Sequence, residues 1–207
     1  MSLKLTIAAA ALAVSSVSAT AAPLFIDDFE TYTQGAPGSI SPTWTVAEGS
    51  VDVIGTPGAF PWYPGQQIDM NGSGGDSTAA QIYTSISGFL IGHTYALSFD
   101  YGSNKNSSGT ESETLIYNIG TLLGSVFMPG DVTSLLQSGK LLFVANATSM
   151  DLYFSDGQSG SPFDDDNSQG GPVLDNVSVA SVPLPAAAPL LLAALGGLGL
   201  MRRRRRV

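Results

Sequence analysis

The sequence predicts an all-β protein, an antiparallel β-sandwich of the jelly-roll type, with an N-terminal signal peptide and a C-terminal single transmembrane helix. Two observations predict the sandwich. Short runs of alternating apolar and polar residues recur along the chain, and turn-forming residues separate them, with 24 glycines and 12 prolines among 207 residues. A third observation, an uncharged apolar stretch near each terminus, predicts the two flanking segments.

The distribution of charge excludes several classes of function. Between residues 20 and 181 the chain carries all 17 of its carboxylates and only two basic residues, Lys105 and Lys140. Nucleic-acid binding requires lysine and arginine to neutralise phosphates, so the sequence predicts no nucleic-acid partner. The absence of cysteine excludes a disulfide scaffold and thiol catalysis, and the single histidine, His93, excludes a histidine-rich zinc site.

The strand pattern is clearest at Thr94–Tyr101. There Tyr95, Leu97, Phe99 and Tyr101 alternate with smaller or polar residues, as in a half-buried strand. Asp131–Ser138 has the one helical pattern in the body, with Asp131 as its cap and Gly139 as its end. Ten further runs share the short strand pattern: Leu24–Phe29, Trp44–Val46, Ser50–Ile54, Gln66–Met70, Ala80–Ile86, Glu113–Ile119, Leu122–Met128, Lys140–Ala145, Asp151–Phe154 and Val173–Val179.

Residues 1–19 have the pattern of a secretory signal peptide. Lys4 precedes an apolar stretch that is too short to span a bilayer, and small residues follow at the cleavage position after Ala19. Cleavage after Ala21 is a second possibility, and an uncleaved N-terminal anchor is the alternative. The predicted sandwich domain then occupies residues 22–180, and the protein is expected to be exported through the inner membrane.

Residues 182–207 form a second processing segment with three parts. A proline-containing motif occupies 182–186, an uncharged apolar span occupies 187–201, and five arginines occupy 202–206. The arginines are expected on the cytoplasmic side of the inner membrane, which places the acidic body outside. A plain tail anchor and a buried core helix are the alternatives, and the second fits poorly because the span is apolar on all sides.

This order of parts closely resembles the PEP-CTERM sorting signal in its VPLPA form. The matching residues are Val182, Pro183, Leu184, Pro185 and Ala186, then the span, then Arg202, Arg203, Arg204, Arg205 and Arg206. The resemblance implies an exosortase partner, which cuts near the motif, and a transient C-terminal anchor in the inner membrane of a Gram-negative bacterium. It also implies a final place at the cell surface or in an exopolysaccharide biofilm matrix.

The body resembles galactose-binding-like jelly rolls of the carbohydrate-binding-module type. Three stretches carry the resemblance: the opening Ile26–Glu30 followed by Trp44, the strand region Gly92–Tyr101, and the closing Gly171–Val179. Domains of this type often hold a structural calcium ion between their opening and closing segments. The resemblance therefore implies a Ca²⁺ site at Glu30 and Asp175, with Asp28 as a further ligand.

Other roles remain open for these acidic residues. Asp175 and Asn176 also fit the polar start of a last strand, and Glu30 fits a solvated edge position. The run Asp164–Asp166 predicts a solvated acidic loop rather than an EF-hand, because position 6 of that motif is Gln169 and no helices flank it.

An aromatic cluster is the candidate for carbohydrate binding. Trp62 and Tyr63 lie between prolines in a non-helical loop, and exposed tryptophan and tyrosine rings suit the apolar face of a sugar. Trp44 is a candidate third member. The alternative is that Trp62 caps one end of the core.

Together these features predict an exported, non-catalytic binding module that associates with polysaccharide. His93 lacks a recognisable serine or aspartate partner, so the sequence predicts no enzyme. A purely structural matrix protein bridged by calcium is the alternative, and a polysaccharide-active enzyme is the second. Because the body is strongly acidic, a neutral glycan is favoured over an acidic one.

Overall fold

The computed structural model describes residues 22–35, 38–55, 63–73, 80–103, 113–129, 135–157 and 171–182. Twelve strands and no helix lie within these ranges. The strands are β1 Pro23–Asp27, β2 Thr45–Glu48, β3 Asp52–Gly55, β4 Gln66–Asp69, β5 Gln81–Ser87, β6 Thr94–Ser103, β7 Glu113–Ile119, β8 Leu122–Met128, β9 Leu136–Gln137, β10 Leu141–Val144, β11 Ser149–Asp156 and β12 Pro172–Ser181.

The strands form two antiparallel sheets. The seven-stranded sheet has the order β10-β6-β12-β4-β3, with β1 also paired to β12 and β9 to β6. The five-stranded sheet has the order β2-β5-β11-β7-β8. Consecutive strands often belong to different sheets, which is typical of jelly-roll sandwiches.

The two sheets enclose one main hydrophobic core. Its members include Leu97 and Phe99 of β6, Val179 of β12, Ile82 of β5 and Phe154 of β11. They belong to both sheets because alternate residues of each strand face inward. The prediction of an all-β sandwich over this part of the chain is confirmed.

All eleven predicted strands are present, whereas the predicted helix Asp131–Ser138 is wrong where the structure describes it. Leu136 and Gln137 form β9 and pair with Tyr101 and Asp100 of β6. The Ser138 amide also donates to the Phe99 carbonyl at 2.9 Å. Backbone groups that a helix would pair locally are therefore used by the sheet. Residues 131–134 lie outside the described ranges.

The predicted signal peptide and all of the sorting segment except Val182 lie outside the described residues. No helix with the length and apolar character of a membrane span is found among residues 22–35, 38–55, 63–73, 80–103, 113–129, 135–157 and 171–182. Asp164–Asp166 and Trp62 are also outside these ranges.

Candidate functional site

Asp175 lies at an irregular point in the closing strand. It pairs with Asp100 of β6, and the register between β12 and β6 shifts directly after this pair. Asn176, the next residue, has a φ of 49°. Directly paired residues of antiparallel strands project to the same face, so the two carboxylates share the outer face of the seven-stranded sheet. Asp175 is buried, with 4% of its surface exposed.

Asp28 and Glu30 flank Phe29, which has a φ of 54°. A carboxylate oxygen of Glu30 accepts a hydrogen bond from the Gln66 amide at 2.9 Å, and the Gln66 side chain donates to the Glu30 carbonyl at 2.7 Å. This reciprocal pair ties the opening segment to β4. Strand β1 also pairs with β12, which confirms the expectation that the first and last strands are neighbours.

These acidic residues interact electrostatically. Burial raises the pKa of Asp175 to about 7, although its hydrogen bond from the Asn176 amide acts in the opposite direction. The negative charges of Asp100, Glu30 and Asp28 raise this pKa further, in that order. Asp28, Glu30, Asp100 and Asp175 are called the acidic cluster below. Sequence reasoning nominated three of them and missed Asp100, which only the β6–β12 register places beside Asp175.

The chemistry of the acidic cluster suits a hard cation, since carboxylate oxygens are preferred ligands of Ca²⁺. As the side chains stand, no three Asp, Glu or His residues in the described part of the chain are grouped so that they could hold one metal ion. Asp28 and Glu30 are exposed, whereas Asp175 is buried. Rotation of the two exposed side chains toward Asp175 would therefore be needed to build a site.

Two glutamine oxygens lie near the acidic cluster without a hydrogen bond. The side-chain oxygens of Gln66 and Gln67 are buried and have no partner among the described residues. The pairs Asp69–Val173 and Ile68–Leu174 place Gln67 next to Asp175 in the register between β4 and β12. Buried polar atoms are normally paired, so these two oxygens are available to a cation or a water molecule.

Gly65 permits the position of Glu30. A Cβ atom on this residue would lie 2.2 Å from a carboxylate oxygen of Glu30, and the glycine has a φ of 85°. Both the close approach and the left-handed backbone exclude larger residues here without rearrangement.

The three residues predicted to bind sugar are not brought together on a described surface. Trp44 and Tyr63 are each 2% exposed. The Trp44 ring packs against Phe25, Phe29 and Phe154. Tyr63 packs in a separate small cluster with Ile54 and Val173, and its hydroxyl donates to the Ser103 carbonyl at 2.9 Å. Both rings are packed against protein, and Trp62 lies outside the described residues.

Asp27 organises the connection between β1 and β2. Its carboxylate accepts hydrogen bonds from the Phe29 amide at 2.9 Å, the Tyr32 hydroxyl at 2.7 Å and the Trp44 indole at 2.9 Å. Burial raises the pKa of Tyr32 to about 12, and the bond to Asp27 contributes in the same direction. A pocket of about 270 Å³ lies beside these residues, with Asp28 and Thr43 also in its wall. The Asp27 carboxylate therefore has a structural role, because its hydrogen bonds hold Phe29, Tyr32 and Trp44 in place.

The outer face of the five-stranded sheet carries a pair of tyrosines that sequence reasoning did not select. Tyr83 of β5 is paired with Tyr153 of β11, and their rings stack with centroids 5.2 Å apart and planes 29° apart. Both are half-buried. Their strand neighbours in the same row are Thr45 and Asn118. We call this surface the tyrosine face.

Small polar side chains surround the two rings. Ser85 donates a hydrogen bond to Asp151, and the hydroxyls of Ser87 and Ser149 are 3.1 Å apart. Ser155 lies on the other side of the tyrosine row. A signal was present in the sequence, because tyrosine takes the same outward phase in two predicted strands. The sequence did not show that these two strands, about 70 residues apart, are neighbours in the sheet.

The structure is similar to solved carbohydrate-binding modules. It aligns with the CBM35 from Paenibacillus barcinonensis over 76% of this chain and 99% of that chain, with 14% identity and a TM-score of 0.44. The CBM36-1 domain of a multidomain xylanase from the hindgut metagenome of Trinervitermes trinervoides aligns over 77% and 98%, with 11% identity and a TM-score of 0.43. The Podospora anserina GH26-CBM35 β-(1,4)-mannanase aligns over 78% of this chain but 28% of its own length, with 14% identity and a TM-score of 0.42.

No protein-family model and no curated protein matches the sequence. At the identities and TM-scores of the structural matches, the likeness carries no conclusion about activity or ligand. The two-sheet architecture rests instead on the strand pairing, and any function must be argued from the side chains that the two sheets present.

Proposed function

We propose that this chain is an exported, non-catalytic carbohydrate-binding protein and that the tyrosine face is its glycan-binding surface. The observation that carries the proposal is the stacked pair of Tyr83 and Tyr153 on the two adjacent strands β5 and β11 of the five-stranded sheet. Half-buried tyrosines offer an apolar ring surface with a polar edge, which suits the alternating apolar and hydroxyl surfaces of a pyranose.

The residues around the tyrosines support a polar, uncharged ligand. The serine hydroxyls of β5 and β11 and the side chain of Asn118 can both donate and accept hydrogen bonds, as sugar hydroxyls do. The described part of the face contains Asp151 and Glu48 but no lysine or arginine. It therefore favours a neutral polysaccharide over an acidic one.

Replacing either tyrosine is expected to weaken glycan binding. Tyr83→Ala and Tyr153→Ala each remove one stacking surface, and each should raise the dissociation constant for the preferred neutral glycan about tenfold, equivalent to about 1.4 kcal/mol. The measurement is affinity gel electrophoresis with xylan, galactomannan and a β-glucan, with alginate as the acidic comparison. Retention should occur in at least one neutral gel.

Leu142→Ala is the matched control, because Leu142 is an exposed apolar residue on the other sheet. It should leave retention unchanged. If both tyrosine variants fold and are retained like the wild type, the tyrosine face is not the site. Trp62→Ala tests the position predicted from sequence. If only this variant loses retention, the glycan site includes Trp62 rather than the tyrosine face.

We also propose that Ca²⁺ binds at the acidic cluster through Asp175, Glu30 and Asp28, with Asp100 as a fourth carboxylate. Convergent negative charge around a buried carboxylate and the unpaired oxygens of Gln66 and Gln67 support this assignment. Bound Ca²⁺ would neutralise the mutual repulsion of the carboxylates. A chelator should lower the melting temperature of the wild type but not that of Asp175→Asn.

The calcium-bridged structural matrix protein is the second candidate, and the exposure of Asp28 and Glu30 favours it. Exposed carboxylates on two molecules can share a cation. Calcium-dependent growth in particle size by light scattering, without retention on any glycan, would favour this candidate over the first.

For the flanking segments we propose export by cleavage of the signal peptide, then a transient C-terminal anchor and processing by exosortase. The sequence patterns at residues 1–19 and 182–207 support this route. Mass spectrometry of the mature protein should find an N-terminus at residue 20 or 22 and a C-terminus near 182–186. Intact ends would contradict it, and Pro183→Ala with Pro185→Ala should impair the C-terminal cut.

A further inference from the structure

One end of the sandwich gathers the start of the first strand, the end of the last strand, and the β5–β6, β7–β8 and β10–β11 connections. The Val182 amide donates to the Thr94 carbonyl at 3.0 Å, the Gly92 amide to Ala145 at 2.8 Å, and the Gly88 amide to Thr148 at 3.0 Å. These bonds join the end of β12 to β6, and the β5–β6 connection to the β10–β11 connection. We call this surface the chain-end face.

The chain-end face carries several exposed apolar side chains. Ile91 and Leu90 sit in the β5–β6 connection with 63% and 59% of their surfaces exposed. In the outer rows of the adjoining sheet, Leu142 pairs with Ala96 and Val144 pairs with Thr94. Exposed large apolar side chains at this face or its margin are Leu24, Leu90, Ile91, Leu142, Val144 and Val182. Several large apolar side chains exposed on one side of a domain indicate an interaction site.

This face also has no acidic or basic side chain of Asp, Glu, Lys or Arg, in a body dominated by carboxylates. The segments 22–26, 88–94, 119–122, 142–149 and 178–182, which build it, contain no Asp, Glu, Lys or Arg. Acidic residues instead occur in the middle of the sandwich and toward its opposite end, where Asp156 and Glu113 are buried. An anionic membrane surface repels carboxylates, so the lack of acidic side chains makes this face compatible with such a surface.

The length of the chain beyond Val182 identifies the partner. Four residues, 183–186, separate Val182 from the apolar span 187–201. Even fully extended they reach only about 14 Å. If the span crosses the bilayer, the chain-end face must therefore lie within the headgroup layer or close above it.

We propose that the chain-end face is a lipid-contact surface, which rests on the outer leaflet of the inner membrane while the C-terminal span is in place. The inference rests on the proposed anchoring of that span. Leu90 and Ile91 insert at the interface, and the tyrosine face and the acidic cluster stay exposed to solvent. Contact with lipid keeps the end of β12 at the bilayer surface, within reach of a membrane-embedded protease.

The absence of cysteine makes the test direct, because one introduced cysteine can be labelled uniquely. The full chain carrying Ile91→Cys is labelled with a fluorophore and reconstituted into phosphatidylethanolamine–phosphatidylglycerol vesicles that contain doxyl-labelled lipid. Phe127→Cys is the matched control, with 62% exposure against 63% for Ile91. Phe127 lies toward the opposite end, about 17 Å along β8 from Leu122.

The lipid quencher is expected to reduce fluorescence at position 91 at least threefold more than at position 127. Flotation of the same vesicles reports separately on the anchor, and removal of residues 187–207 should abolish it. Equal weak quenching at both positions in floated vesicles would overturn the lipid-contact surface and leave the anchor intact. Failure to float would overturn the anchor and the inference with it. Quenching at 91 only when exosortase is present would assign the face to that enzyme instead.

A second variant pair checks that the apolar side chains cause the contact. Leu90→Asp with Ile91→Asp should fold normally, because both residues are exposed, and should remove the quenching of a label at position 144. Retained quenching at position 144 would show that tethering alone brings the body to the bilayer, and would overturn the role of these two residues.

Discussion

Trp44→Ala is expected to destabilise the sandwich by about 3–5 kcal/mol, the largest single-residue effect among the variants considered. The side chain is 2% exposed and packs against Phe25, Phe29 and Phe154 at centroid distances of 5.5, 6.0 and 6.1 Å. Truncation would leave a cavity between the two sheets and remove one of the two hydrogen bonds that the same Asp27 carboxylate oxygen accepts, the other coming from the Tyr32 hydroxyl. For a domain of this size the melting temperature should fall by about 10 °C or more.

Trp44→Phe separates the packing contribution from the hydrogen bond. This variant keeps a ring in the core but removes the indole donor that lies 2.9 Å from Asp27, so a loss of about 1–3 kcal/mol is expected. Val46→Ala, on the same strand segment but 37% exposed, is the control and should stay within about 0.5 kcal/mol of the wild type. Equal stability of Trp44→Phe and the wild type would show that the hydrogen bond contributes little.

The Trp44→Phe variant also bears on ligand binding. If the tyrosine face is the glycan site, this variant should be retained on a neutral polysaccharide like the wild type, provided that it is folded. Loss of retention without loss of structure would instead support the sequence-based assignment of Trp44 to carbohydrate binding.

The strands were predictable from sequence because alternation is a local property. In β6, Tyr95, Leu97 and Phe99 face the core, as their spacing predicts, because successive side chains of a strand point to opposite faces. The segment at Leu136–Gln137 was not predictable in this way. Its two residues carry no alternation of their own, and their pairing partner on β6 decides their conformation.

The site residues were less predictable because burial and pairing are non-local. Tyr63, between prolines, has the sequence context of an exposed loop residue, yet Ile54 and Val173 of the seven-stranded sheet cover its ring. Asp100 and Tyr153 became candidates only when β6 was paired with β12, and β5 with β11. By contrast, the proximity of Glu30 to Asp175 followed from the expectation that the first and last strands are neighbours.

In the presence of a chelator, Asp175 is expected to make the protein less stable as the pH rises from about 4 to about 7. Its pKa is about 7 in the folded protein, against an ordinary value of 3.8. Between these values the folded state binds one more proton than the unfolded state, so the free energy of unfolding falls as the pH increases. Since one pKa unit corresponds to about 1.4 kcal/mol, the total loss should be about 2–4 kcal/mol.

Asp175→Asn removes this dependence, since asparagine does not titrate and can still accept the hydrogen bond from the Asn176 amide. The measured quantity is the difference in unfolding free energy between variant and wild type, obtained by urea titration at pH 4.5, 6 and 8 in EDTA. The other carboxylates are common to both proteins, so their contributions to the pH dependence largely cancel in this difference. The unfolding free energy of the variant relative to the wild type should increase steadily with pH.

Calcium should reverse the order of the two proteins at pH 8. When Asp175 is ionised and no cation is present, repulsion from Asp100, Glu30 and Asp28 destabilises the folded protein. The same negative charges attract a divalent cation, which carboxylate oxygens can bind. Ca²⁺ should therefore raise the wild-type melting temperature above that of Asp175→Asn, which should not respond. If stability depends on pH as expected but does not respond to Ca²⁺, the acidic cluster contains mutually repelling carboxylates and no calcium site. A calcium response that Asp175→Asn retains would place the cation elsewhere.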